Sequence, residues 1–329
     1  MRILRMIYRF LSSMKTGLII LGIIGLFSAI GSGLSPENFF QSTAFKLSLI
    51  LLLLNMTLCT FNQLYTYANT RTKKDRMRTN LWRRIGILTL HVGMVLILIG
   101  GTINAFGGQS LPVSIVQGEV LDISEVINTA NPFQVKLNEF KIEFNDDGSP
   151  SQYYSDVSII DGDNVTEQYS INVNNPLIYE GIKAYQHSFG YLVNVTGESS
   201  SGWEAQKTLA EGDLFDIQGS EKTVKFYKYI PNFDPNYGLE TKSLRPDNPR
   251  VVYSLYDKGK LLKVAAVTFG ERIEIDSENF MTFVDLKPFT VLTIKKDPGL
   301  LMASLGGLML MLGTCLALFL KQTKQEELP

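Results

Sequence analysis

His91 is one of only two histidines in the 329-residue chain, and it is the single titratable side chain in the run Ile85–Phe106, IGILTLHVGMVLILIGGTINAF. At about 1.5 Å per residue this run makes roughly 33 Å of helix, enough to cross a bilayer core of about 30 Å. An imidazole in hydrocarbon needs a partner, because an unpaired polar group there is costly. Two readings follow from the residue alone. His91 donates one hydrogen bond to a neighbouring helix, or it is an axial ligand, since neutral imidazole binds haem iron and apolar helix faces can hold a porphyrin. Nothing else in the chain reads as the second ligand of a bis-histidine site. The other histidine, His187, lies between Gln186 and Ser188 in a strand-like, polar stretch and reads as a surface or packing residue rather than a haem contact.

The two cysteines, Cys59 and Cys315, both fall in apolar runs, and no CxxC or Cys/His cluster exists. Thiol redox chemistry and structural zinc are therefore disfavoured. There is no glycine-rich phosphate loop, nucleophile elbow or metal-ligand cluster, so no catalytic residue is assigned, and the many carboxylates read as a solvated surface.

The elements that must position His91 are membrane helices. Four apolar runs have the length of spans, Gly17–Leu34, Phe45–Leu64, Ile85–Phe106 and Gly299–Leu320. The first reads as a retained helix rather than a signal peptide, because a second span follows almost at once and no clean cleavage site ends it. Charge is segregated. Residues 107–297 hold 17 Lys and Arg against 28 Asp and Glu, a net of −11, while the remainder holds 14 against 4, a net of +10. The basic residues gather in the arm Arg2, Arg5, Arg9, Lys15 and in the loop from Arg71 to Arg84, which the positive-inside rule keeps cytoplasmic. This charge reads as topology and lipid contact, not nucleic-acid binding.

The expected organisation is a basic amphipathic cytoplasmic segment (1–16), three transmembrane helices (17–106) with a cytoplasmic loop at 66–84, and an extracytoplasmic domain (107–297). A fourth transmembrane helix (298–320) and a cytoplasmic tail (321–329) complete it. Within 107–297, alternating runs such as FQVKLNEFKIEF, YYSDVSII, TVKFYKYI and VVYSLY stand between turn signals at Asp146-Asp147-Gly148, Asp161-Gly162-Asp163-Asn164 and Asp257-Lys258-Gly259. They predict an antiparallel β-rich, sandwich-like domain, with Pro231–Pro249 as a long loop. Gly86, Gly93 and Gly100 recur every seven residues, as do Gly299, Gly306 and Gly313. These stripes predict that the third and fourth helices pack closely, leaving His91, about 200° around from Gly93, to face a different neighbour such as another subunit.

Five motifs in order then resemble the ResB/CcsB family of system II cytochrome c biogenesis. They are LSSMKTGLIIL with IGSGL, NMTLCTFNQL, the histidine-bearing LTLHVGMVLILIGGTI, INVNNPLIYEGIKAYQHSFG, and KKDPGL leading into the last helix. In the fourth motif His187 stands where the family often has a small residue. The resemblance implies a multi-pass protein of the bacterial inner membrane with both termini cytoplasmic. It implies a subunit of a holocytochrome c synthase, in which a CcsA-type partner shares or carries catalysis. Together they would move haem b across the membrane and attach its vinyl groups to the CxxCH cysteines of apocytochrome c. His91 matches the family's transmembrane haem-iron ligand, and the second ligand and tryptophan-rich segment would belong to the partner. The rival expectation is an assembly protein that docks apocytochrome or a thiol-disulfide reductase without binding haem.

Overall fold

The computed structural model describes residues 2–34, 36–69, 81–162 and 164–319. Most of the basic loop, the C-terminal tail and Asp163 lie outside the described residues. The chain divides into a helical unit, 1–109 with 296–329, and a β unit, 110–295.

The helical unit contains α1 (Arg2–Leu11), α2 (Met14–Leu34), α3 (Pro36–Gln41), α4 (Thr43–Asn69), α5 (Leu81–Gly107) and a C-terminal helix (Leu300–Phe319). Four of these are long and apolar enough to cross a membrane. Their hydrocarbon lengths agree with the apolar runs, but the helices continue into polar flanks such as Gln63–Asn69, where the backbone hydrogen-bond ladder persists after hydrophobicity stops. The segment after α2, expected as a short loop, forms α3. Its Phe39 and Phe40 pack with each other and with Phe45 at ring-centroid distances of 5.2–5.4 Å.

α5 and the C-terminal helix meet through the two glycine stripes. A Cβ on Gly93 would lie 2.7 Å from both Gly306 O and Leu310 N, and one on Gly86 would lie 2.6 Å from Ala317 N. The stripe positions thus let backbone touch backbone, which van der Waals packing in lipid rewards. α1 is a different kind of helix. Arg2, Arg5 and Arg9 share one face, and Ile3, Met6, Ile7 and Phe10 are exposed on another, the pattern of a helix lying in a lipid interface.

The β unit holds three antiparallel sheets. The central one runs β1 (Gln109–Val116), β14 (Asn279–Lys296), β7 (Ile182–Ser199) and β6 (Leu177–Tyr179), with β8 (Glu204–Leu209) on β7 and β13 (Arg272–Glu274) on β14. Flanking it are β2–β5 (Val120–Asp122, Gln134–Phe144, Pro150–Asp161, Asn164–Ile171) and β9–β12 (Leu214–Asp216, Lys222–Ile230, Arg250–Asp257, Lys260–Val267). A four-residue helix, α6 (Ile123–Val126), follows β2, and the C-terminal helix is α7.

β7 and β14 are each 18 residues long and serve two cores in succession. Ile182, Ala184, Leu292 and Ile294 join Val135, Leu137, Val157 and Ile159 of the β2–β5 sheet. Val193, Val195, Met281 and Phe283 join Val224, Phe226, Val251 and Tyr253 of the β9–β12 sheet. The unit is therefore two sandwiches sharing one long central ribbon, rather than a single sandwich. At the crossing point Gly190 lies under the Phe289 ring, which leaves no room for a Cβ. The rings of Phe140, Phe189, Tyr191, Tyr229 and Phe269 follow one another at 4.8–6.1 Å and carry packing from one core to the other. Two-residue turns with positive φ, Lys258–Gly259 and Glu180–Gly181, close the hairpins β11–β12 and β6–β7 in the conformation that matches strand twist. Residues 231–249 carry one 3₁₀ turn, Pro235–Tyr237, and no strand.

Two predictions follow from this packing. Gly93→Leu drives a side chain into the backbone of α7 and should lower the thermal stability of the detergent-solubilised chain by about 1–3 kcal/mol. Gly22→Leu, at a position with nothing within 4 Å, should not, and equal effects would refute the seam. In the β unit, burial, with smaller contributions from Tyr229 and Tyr153, pushes the Tyr191 hydroxyl from 10.0 to about 12. The folded chain holds this proton more tightly than the unfolded one, so Tyr191 supplies stability that is complete below pH 10.0 and lost as pH rises to about 12. Tyr191→Phe should flatten the fall of melting temperature across that window, and an unchanged fall would remove Tyr191 as its source.

Candidate functional site

Helix α1 ends at Leu11 and α2 begins at Met14, so the carbonyls of Leu11, Ser12 and Ser13 stand at an elbow against α4. Helix ends leave orphan carbonyls, and in apolar surroundings each must find a donor. One face of α4 supplies two of these donors at its i and i+4 positions. Asn55 Nδ2 donates to Leu11 O (2.5 Å) and Ser13 O (3.1 Å), and Cys59 Sγ donates to Ser12 O (3.2 Å). Three residues on, Asn62 Oδ1 accepts from Tyr8 Oη (2.6 Å) of α1. Asn55 is 1% exposed, and its Oδ1 has no hydrogen-bond partner among the described residues. It is pressed against the Cα face of Gly17, where any Cβ would overlap it. Thus the first two motifs of the sequence are one structure, a polar ladder that folds α1 back against α4. Cys59 acts there as a weak hydrogen-bond donor.

Beside this ladder α2, α4 and α5 line an open-sided cavity of about 650 Å³. Its wall is mostly apolar, formed by Leu18 and Leu21 of α2, Leu52 and Met56 of α4, and Met94, Ile97 and Leu98 of α5. Ser12, Asn62 and Gln63 add polar groups. His91 lines it. The neighbour that His91 faces, away from the glycine seam, is therefore the α2–α4 face of the same chain.

The His91 ring is held by its own helix, with Nδ1 2.8 Å from Ile87 O. A carbonyl can only accept, so this contact puts the proton on Nδ1 and leaves the Nε2 lone pair as the ligating one. That is how metal-binding histidines are usually oriented. The volume lies within the range of about 300–1,000 Å³ common for cofactor and ligand sites. Cavity size, apolar lining and a correctly protonated imidazole all fit a haem.

The distinctive β-unit motif plays a different part. Tyr169 Oη donates to Asn175 Oδ1 (2.8 Å) and Pro176 O (3.1 Å), fixing the turn before β6. Gln186 accepts from Ser155 Oγ (2.7 Å) and donates to Ser188 O (3.0 Å) and to Thr290 Oγ1 (2.9 Å), while Ser155 and Thr290 are fully buried. This amide ties β4, β7 and β14 together. His187 beside it is exposed.

Among the described residues, fold and site together define four membrane-length helices and an antiparallel β unit, with His91 lining an apolar cavity among the helices. The chain belongs to the ResB-like family, whose profile matches residues 78–282. It is 30% identical over 253 residues to the cytochrome c biogenesis protein CcsB of Picosynechococcus sp., an alignment covering 73% of this chain and 51% of that protein. It is 28% identical over 229 residues to Ccs1 of Porphyra purpurea (66% and 48%), and 29% over 246 residues to chloroplastic CCS1 of Oryza sativa (71% and 42%). The chain thus spans about half the length of these curated relatives.

Removing the ladder's central donor tests its role. Asn55→Leu strands the Leu11 carbonyl in apolar surroundings and should cost about 1–3 kcal/mol of thermal stability, whereas Cys59→Ser, which keeps a donor, should cost little. A Cys59→Ser variant as impaired as Asn55→Leu would give the thiol a function beyond this hydrogen bond.

Proposed function

We propose that this chain takes part in cytochrome c biogenesis as a component of a system II cytochrome c synthase, and that His91 is an axial ligand for haem in transit. The observation that carries this reading is His91, with Nδ1 occupied by Ile87 O, facing an apolar cavity of about 650 Å³ in a chain of the ResB-like family. Haem is here a substrate. The chain's residues hold the iron through Nε2, exclude water with the leucine and methionine walls, and give the porphyrin an apolar passage.

A CcsA-type partner supplies the second axial ligand and the site of attachment. There each apocytochrome thiol adds across a vinyl double bond, the sulfur bonding to one carbon and the thiol proton ending on the other, with no net redox change. The four helices span the bacterial cytoplasmic membrane with the basic segments inside. The β unit, with its net charge of −11 over 107–297, stands outside and meets the apoprotein. That acidic surface also favours a second reading, in which the β unit docks apocytochrome or a thiol-disulfide reductase and His91 only packs.

Expression of the chain with a CcsA-type partner separates the two. His91→Ala should abolish most of the haem absorbance of the purified complex while leaving the complex assembled. Unchanged haem content and spectrum would reject the ligand assignment and leave the docking reading.

A further inference from the structure

The cavity has a direction. Leu98, seventeen residues into α5, packs against the cluster of Ile20, Ile24 and Leu52, the last seventeen from the end of α4, and Lys46 lies 5.3 Å from the Phe106 ring centroid. α5 therefore runs back along α4, with the start of one level with the end of the other. The same count places Asn62 level with Leu88, between Arg84 and His91. Arg84 precedes His91 by seven residues, so it lies within about 20° of the same helix face and about 10.5 Å along the axis. It is half-buried. One end of the cavity thus has Ser12, Asn62 and Gln63, and helix spacing puts Arg84, which is not itself part of the lining, beyond them on the His91 face. The other end offers only hydrocarbon, from Leu21, Leu52 and Leu98.

A ligand matched to this gradient is planar and amphipathic, with anionic groups on one edge. We propose that Arg84, with Asn62 and Gln63, forms a carboxylate subsite for the two propionates of the haem held by His91, turning its vinyl edge toward Leu21, Leu52 and Leu98. The proposal rests on the haem reading above and adds orientation and charge selectivity. Arginine suits the role, because its planar fork meets carboxylates with paired hydrogen bonds and stays charged beside hydrocarbon. An amide such as Asn62 or Gln63 offers further N–H donors to a carboxylate without adding charge. Arg84 is a positioning residue here, acting on the porphyrin edge and not on the iron.

The test uses the complex of the full chain with a CcsA-type partner in lipid nanodiscs, titrated with iron protoporphyrin IX and with its dimethyl ester. The wild type should bind the diacid about tenfold more tightly than the ester, as expected for one charge-assisted hydrogen bond. Arg84→Gln should erase most of that preference and Arg84→Lys should keep part of it, with the iron-ligation spectrum unchanged in both. Equal affinity for diacid and ester in the wild type, or a preference that survives Arg84→Gln, would overturn the subsite while leaving His91 as ligand. Failure of both porphyrins to bind, or an identical spectrum in His91→Ala, would defeat the haem reading and the subsite with it.

Discussion

A backbone carbonyl that ends a helix among apolar groups has no water to turn to, and the helical unit is arranged around that constraint. The elbow between α1 and α2 presents the carbonyls of Leu11, Ser12 and Ser13, of which, among the described residues, only Ser13 O also holds a backbone donor, Gly17 N (3.1 Å), and α4 answers them with Asn55 and Cys59 on one face. Because those donors are fixed to α4, the elbow can sit at only one height and one rotation. Gly17 must then lie under the Asn55 amide, which brings α2 close to α4. The wall that results is the wall of the His91 cavity. A hydrogen-bond requirement of the backbone thus shapes a space whose own lining is almost entirely apolar.

The β unit solves a different problem, that of keeping two cores in register. Long strands do this where a linker would not. β7 and β14 place residues of one core and residues of the other on the same rigid ribbon, and the aromatic series through Phe189 and Tyr191 fills the gap between them. The Gln186–Ser155–Thr290 network sits on this ribbon. The motif that contains Gln186 is explained by architecture, while the exposed His187 next to it takes no part in that network.

Much of this was legible from residue types. The four apolar runs announce their helices because hydrocarbon thickness sets a length that few other structures need, and the sevenfold glycine period declared the α5–α7 seam because only a helix turns that spacing into a stripe. His91 was visible from its depth in an uncharged run. What faced it was not, since the cavity depends on donors and acceptors more than 40 residues apart, such as Asn55 and Leu11. α3 escaped notice because six residues carry too little periodicity to mark a helix. The two 18-residue strands were not read as such, and each contains a residue type that weakens a strand pattern, Gly190 in β7 and Pro288 in β14. In the fold the first makes room for Phe289, and the second still contributes its carbonyl to Gln117 N (3.1 Å).

The glycine seam also alters the folding entropy of the chain. α5 and α7 are neighbours in the helical unit, and β1 and β14, which directly follow the first and precede the second, are neighbours in the β unit. The same long intervening segment is therefore fastened twice at its base, once by helices and once by strands. Closing a loop costs conformational entropy that rises only logarithmically with its length, and it is incurred once. Whichever pair forms first makes the other contact nearly local, so each fastening lowers the entropic cost of its counterpart. Three glycines on each helix, with no role at the cavity, thereby help the β unit to find its fold.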